Sequence, residues 1–230
     1  MIASKLPTFR IAGFRKVWNK ALANPSFRLK LILAGSLLLT IAIFMPWFFM
    51  HIQLRPGRQI NDRLLNLIPA KNMSRYIFFV LYPVLILTFV SLSLQPGLLL
   101  KCLLAYCVLL CLRICTLFLI PLEPEHGMVP LQDPFIGHFF YSNTVITKDL
   151  FFSGHVSTLF LIFLVNPIPQ LRSFFFFSTI LLAILILIQH VHYTVDVLAA
   201  PLFAWISFKT AGLKFLVPLE KNTPAQDPIT

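Results

Sequence analysis

Six stretches of this chain, near residues 30–51, 75–94, 97–120, 151–166, 174–191 and 194–217, are apolar over about the length that crosses the hydrocarbon core of a bilayer. Inside that core no water is available to the backbone N–H and C=O groups, so runs of this kind fold as helices that satisfy those groups internally. The expected fold class is therefore all-α: a polytopic integral membrane protein with six transmembrane helices. The fourth run is the shortest, and Ser153, Gly154 and His155 stand at its leading end. That helix is expected to begin in a polar chamber rather than in lipid.

Hydrophobic residues make up 58% of the chain and charged ones 12%, with a mean hydropathy of +0.84. So few charges cannot solvate the surface of a soluble fold, which excludes a soluble enzyme, a nucleic-acid-binding domain and a disordered chain. The net charge of +11 comes from 19 Lys and Arg against 8 Asp and Glu. In a membrane protein such an excess reflects topology and anionic headgroups, and nucleic acid is not an expected partner. Cys102, Cys107, Cys111 and Cys115 all lie within one apolar run and read as small packing residues, not as a disulfide framework or a metal site.

Three regions are expected. Residues 1–28 form a basic, amphipathic, cytoplasmic arm that carries Lys5, Arg10, Arg15, Lys16, Lys20 and Arg28 without an acid. Residues 29–217 form the six-span domain, its first span uncleaved, and residues 218–230 form a tail; both ends have the composition of flexible segments. With the N-terminus inside, 12 of the 19 basic residues fall on the cytoplasmic side. The other side then holds Arg55, Arg58, Arg63, Lys71 and Arg75 between the first two spans, a basic loop for an outward face. The acidic loop from Pro121 to Leu150 reads as external.

Two clusters place ionisable groups at span ends: Ser153-Gly154-His155 and His192-Tyr193-Thr194-Val195-Asp196. His192 and Asp196, four apart, share a face if both are helical, so the carboxylate can orient the imidazole. An Asp near the membrane core is costly unless paired, and this one has its partner at hand. One histidine on each of two helices, one of them backed by a carboxylate, supplies a nitrogen nucleophile and a proton donor for attack on phosphorus. Ser153 and Gly154 would offer backbone N–H groups and a helix N-terminus to a phosphoryl group, with Gly permitting close approach. Taken singly, each cluster is equally compatible with interfacial histidines and a capping serine.

Together the clusters carry a family resemblance over roughly residues 110–212. Asp149-Leu150-Phe151-Phe152-Ser153-Gly154-His155 and His192-Tyr193-Thr194-Val195-Asp196-Val197 resemble the two catalytic motifs of the sphingomyelin synthase branch of the type 2 phosphatidic acid phosphatase superfamily. A weaker similarity is Arg113-Ile114-Cys115-Thr116 followed by Leu119-Ile120-Pro121-Leu122-Glu123-Pro124. The superfamily's Lys-x6-Arg-Pro motif is absent, since Phe48 stands where the Lys of Arg55-Pro56 should be, and the sphingolipid branch lacks that motif too. The resemblance implies a six-span bundle, a site on the extracytoplasmic side, lipids arriving laterally and no metal or other cofactor. It implies His155 as nucleophile, His192 as acid/base and Asp196 as its orienting partner.

Arg113 lies about 10 Å inside the external end of its span at the helical rise. It reads either as a phosphate clamp, through its fork of donors, or as a side chain snorkelling to the interface. Tyr193 could contact headgroup oxygens or serve as an ordinary interfacial Tyr. His126, His138, Glu123, Glu125 and Asp133 match no metal-ligand spacing, and His51 and His190 read as interfacial. The function expected is a lipid phosphotransferase with a phospholipid donor and a lipid alcohol acceptor, ceramide or diacylglycerol-like, in the bilayer. The alternatives are a lipid phosphatase or phospholipase C using the same residues, and a non-enzymatic lipid or phosphate carrier.

Overall fold

Proline at the first position starts three long helices, where its missing N–H is one the helix would not have paired and its fixed φ is already helical. The computed structural model describes residues 11–133 and 146–212. Its helices are α1 Ile11–Ala23, α2 Pro25–Leu54, α3 Ser74–Ser93, α4 Pro96–Leu119, α5 Gly154–Val165, α6 Pro169–Ile188 and α7 Thr194–Ala211, with one 3-10 turn at Leu65–Leu67. Among the described residues no strand forms, and one isolated bridge joins Arg58 to Leu122. The chain is thus an all-helical integral membrane protein, with α2, α3, α4 and α6 long and apolar enough to cross a bilayer.

Each of the six expected spans coincides with a helix, and the differences have local causes. α5 has only 12 residues, about 18 Å at the helical rise. It is shorter than the expected 151–166 because the chain bends at 151–152 and Ser153 is extended, so that the helix begins only at Gly154. α6 starts at Pro169 instead of 174 and stops at Ile188 instead of 191. There His190 takes φ 56°, and the N–H groups of His190 and Val191 turn back to the carbonyls of Leu187 and Ile186. That is a Schellman end with a histidine where glycine is usual. The described part of the last span ends at residue 212.

Residues 11–23, expected within a flexible arm, form a helix instead. Trp18 anchors α1: its Nε1 donates to the Ser93 carbonyl at 2.8 Å and its ring meets Phe27 edge-on. Asn24 then caps α2 by accepting from the N–H groups of Ser26 and Phe27. Arg15, Lys16 and Lys20 remain exposed. The tail 218–230 lies outside the described residues.

α5 occupies the centre, packed by α3, α4, α6 and α7, and it is apolar all round as a central helix must be. Into the bundle, where it packs on α5 and α4, α7 turns Ala200, Ala204, Ser207 and Ala211, each fully buried. That stripe of small residues lets two backbones approach closely in lipid. α2 rides outside on α4, largely exposed to the bilayer. The cysteines are only partly packing residues: Cys107 is buried against the Ala34 carbonyl, whereas Cys111 and Cys115 face outward.

All the loops that follow α2, α4 and α6 meet at one end of the bundle and are tied there by polar contacts. Arg55 donates to the Phe118 and Leu117 carbonyls at the C-terminus of α4, which gives one of the five basic loop residues a structural task. Glu123 accepts from Lys148 Nζ at 2.7 Å and from the Gly57 N–H at 2.8 Å. A Cβ on Gly57 would lie 2.6 Å from the Leu122 carbonyl carbon, so glycine is what allows these two loops to touch. Gln189, fully buried, accepts from the Met73 N–H and donates to Ser74 and to the Val129 and Pro130 carbonyls.

The Lys148 hydrogen bond, with that from Gly57, holds the Glu123 carboxyl below the usual carboxylate range. At Asp62 burial works the other way, but hydrogen bonds from Thr194, Leu65 and Leu64 still leave its carboxyl low. A carboxyl depressed in the folded state stabilises above its unfolded pKa and loses that contribution as pH falls through the folded value. The apparent melting temperature of detergent-solubilised protein should therefore be flat down to about pH 5 and fall below about pH 4. Glu123→Gln should remove part of that dependence; a profile identical to that of the unsubstituted protein would show that the latch contributes nothing.

Candidate active site

The chain leaves α6 through Gln189, turns at His190 and runs through His192 and Tyr193 into α7. His192 is therefore not on the helix, and the shared helical face expected of His192 and Asp196 does not exist. The two meet by another route. Asp196 is the third residue of α7, and its Oδ2 reaches back to accept from the Tyr193 N–H at 3.0 Å as half of a capping box. That same oxygen lies 3.5 Å from His192 Nδ1, within ion-pair range and longer than a hydrogen bond. His192 is 2% exposed and Asp196 0%, and His192 Nδ1 and Asp196 Oδ1 have no hydrogen-bond partner.

α7 is fixed from outside by Asp62, which sequence reasoning missed. Its Oδ2 accepts from the Thr194 N–H at 2.6 Å and its Oδ1 from the Thr194 hydroxyl at 3.0 Å. Oδ1 also accepts from the N–H groups of Leu64 and Leu65. Asn61-Asp62 ahead of Leu64-Leu65 signals a local turn, but nothing in the sequence points 132 residues onward to Thr194. Tyr193 belongs to this scaffold. Its hydroxyl donates to the Glu123 carbonyl at 2.8 Å, and its ring is buried with Leu65, Leu122 and Leu150.

His155 stands in the first turn of α5, where helix N–H groups have no intrahelical partners. It keeps part of its surface accessible, unlike His192, and its ring meets Phe78 edge-on. His192, Arg113, Asp149 and Asp133 are near enough for their charges to act on it. The two motifs are joined by backbone, since the Ser153 N–H donates to the Asp196 carbonyl at 3.1 Å. That N–H is consequently not free for a phosphoryl group, contrary to the expectation from sequence. The Ser153 hydroxyl is fully buried and has no partner.

Arg113 is neither snorkelling nor loose. It is 5% exposed, pairs with Asp149 Oδ1 at 2.6 Å and donates to the Phe152 carbonyl. Its guanidinium packs directly against Gly154, where a Cβ would lie 2.9 Å from Arg113 Cζ. The close approach that Gly154 permits is thus that of a charge, at the N-terminus that carries His155. Asp149, prominent in the first motif but without an assigned role, is the counter-ion that keeps Arg113 there.

The acidic loop residues are paired apart from one another. Glu123 binds Lys148, Glu125 Oε2 lies 3.0 Å from His190 Nδ1, and Tyr82 donates to Asp133 at 2.6 Å. His190, read as interfacial, is 6% exposed and also reaches the Ile68 carbonyl through Nε2. His126 is exposed on its turn, and His138 lies outside the described residues.

Residues 148–212 match the family model described as PAP2 superfamily C-terminal. The matched segment, a little over a quarter of the chain, holds Asp149, both histidines, Ser153, Gly154, Tyr193 and Asp196, and leaves out Arg113. It supports PAP2 superfamily membership and, with it, lipid phosphatase or phosphotransferase chemistry. No curated protein and no solved structure matches the chain.

Ala is favoured over Gly in helices by up to about 1 kcal/mol, yet Gly154→Ala should lower the apparent melting temperature, because the pinned guanidinium cannot retreat. In an Arg113→Ala background the same change should be neutral or stabilising. A Gly154→Ala protein as stable as the parent would remove this contact from the account.

Proposed function

We propose that the protein is a lipid phosphotransferase of the sphingomyelin synthase type, moving a phospho-headgroup from a phospholipid to ceramide or a related lipid alcohol. One observation carries the reading: the partly accessible His155, at a helix N-terminus beside a buried guanidinium, is tied through Ser153 to the buried His192–Asp196 pair. A ring nitrogen of His155 attacks the phosphodiester phosphorus, forming a P–N bond as the P–O bond to diacylglycerol breaks. His192, as imidazolium, gives its proton to the departing alkoxide and becomes neutral. The acceptor hydroxyl then attacks phosphorus, its proton passes to His192, and the P–N bond breaks. Asp196 stabilises the imidazolium and holds it in place. The first turn of α5 and Arg113 supply positive potential to the phosphoryl oxygens.

With water in place of the acceptor alcohol the same groups make a lipid phosphatase or a phospholipase C, a reading that the family match favours as much. We place both termini in the cytoplasm and the site on the opposite side. The exposed basic residues of α1 lie at the end of the bundle away from the site, which accords with the excess of Lys and Arg on cytoplasmic faces.

The test is lipid mass spectrometry after incubating purified protein in mixed micelles with a phospholipid panel, with and without ceramide. A new headgroup-bearing sphingolipid together with diacylglycerol, only with ceramide, is the expected product. His155→Ala and His192→Ala should each abolish it, whereas Asp196→Asn should leave a trace. Free phosphate or phospho-headgroup in water would make the protein a hydrolase, and full activity in Asp196→Asn would remove the pair from the mechanism. Unchanged turnover in His155→Ala would overturn the assignment altogether.

A further inference from the structure

A cavity of about 260 Å³ lies between α3, α4 and α5, walled by residues that include Leu85, Leu92, Leu99, Cys102, Tyr106 and Ile162. Each wall is the downward continuation of a site residue in helical register. On α5, Thr158 and Ile162 stand three and seven places after His155. On α4, Tyr106 and Leu99 stand seven and fourteen places before Arg113. On α3, Leu85 and Leu92 stand seven and fourteen places after Phe78, the ring against His155. Residues three, four and seven apart share a helix face, so the cavity lies beneath the candidate active site on the same faces of α3, α4 and α5.

The interior suits hydrocarbon. Thr88 and Thr158 both line it, but their hydroxyls donate to carbonyls of their own helices, those of Val84 at 2.6 Å and Gly154 at 2.8 Å. The seven helical steps from Leu99 to Tyr106, like those from Leu85 to Leu92, cover about 10 Å along the bundle axis. Phe89, 69% exposed, and Leu85, 37% exposed, stand at the rim, so bilayer chains are its immediate neighbours.

We infer that this cavity holds one hydrocarbon chain of the lipid whose phosphoester is placed at His155. The inference rests on the reading of the site as one for lipid phosphoesters. A chain passing from bilayer to cavity exchanges one apolar surrounding for another, so little affinity is gained. What the cavity supplies is register: a chain seated along α4 and α5, below Arg113 and His155, presents its phosphoester at the level of the nucleophile.

The binding test uses the His155→Ala protein, which cannot turn substrate over, in bilayer nanodiscs. They contain a trace of phosphatidylcholine with a diazirine midway along one chain. After illumination, adducts should be at least tenfold enriched on Leu92, Leu99 and Ile162 over Phe177 and Leu198, which face lipid elsewhere. Leu99→Trp, and independently Leu85→Trp, should abolish that enrichment. Adducts that simply follow lipid exposure, or that are unchanged in both Trp variants, would overturn the inference. In the protein with His155 intact, Leu99→Trp should slow turnover of diacyl phospholipid at least tenfold. Cleavage of the chain-free p-nitrophenyl phosphorylcholine should stay within twofold; an equal loss on both substrates would also overturn it. Absence of turnover on either substrate in the unsubstituted protein would count against the catalytic reading alone, the labelling still deciding the cavity.

Discussion

A guanidinium buried within a bundle of apolar helices is stable only with a counter-charge and enough acceptors for its donors, and removing either leaves an uncompensated charge. Arg113 meets that condition through Asp149 and the Phe152 carbonyl, both on the strand of chain that leads into α5. The contact sets the height of α5 against α4. It places the first turn of α5, and His155 with it, beside the positive charge, and it needs glycine at 154 because the guanidinium fills the space of a side chain. From there the Ser153 N–H bond to the Asp196 carbonyl carries the alignment to α7 and the His192–Asp196 pair.

The second histidine is held by loops. Asp62 fixes the start of α7 through Thr194, Tyr193 is pinned by the Glu123 carbonyl, and Gln189 closes α6 onto the segments at Met73 and Val129. Two loops distant in sequence, those that follow α2 and α4, thus converge on one short segment, residues 189–194. That arrangement leaves His192 and Asp196 buried with open polar atoms, while His155 stays reachable. It is the distribution expected where one imidazole touches the substrate and the other acts on protons behind it.

The helices were legible in the sequence because each apolar run has to satisfy its own backbone in lipid, a constraint that acts locally. Their ends were less so. The stop of α6 depends on a histidine adopting the left-handed conformation with its ring held by Glu125 and Ile68, contacts that no local pattern announces. The pairing of His192 with Asp196 followed from their spacing, but the reason did not, since a capping box and not a shared helical face brings them together. Arg113 was recognisable as a charge in need of a partner, whereas Asp149 and Gly154 as its surroundings required the tertiary fold. Asp62 left no trace beyond a turn signal. The order of the amphipathic α1 is not legible in composition, which does not show Trp18 reaching Ser93.

The central claim is that His155 bonds covalently to phosphorus. The direct test is to quench the protein during incubation with phospholipid labelled with ³²P in its headgroup phosphate and to map the label by peptide mass spectrometry. The account predicts an acid-labile, alkali-stable adduct on the peptide containing His155, still bearing the headgroup, absent in His155→Ala and discharged by adding ceramide. Label on Ser153 instead, or turnover with no label on any histidine, would contradict it.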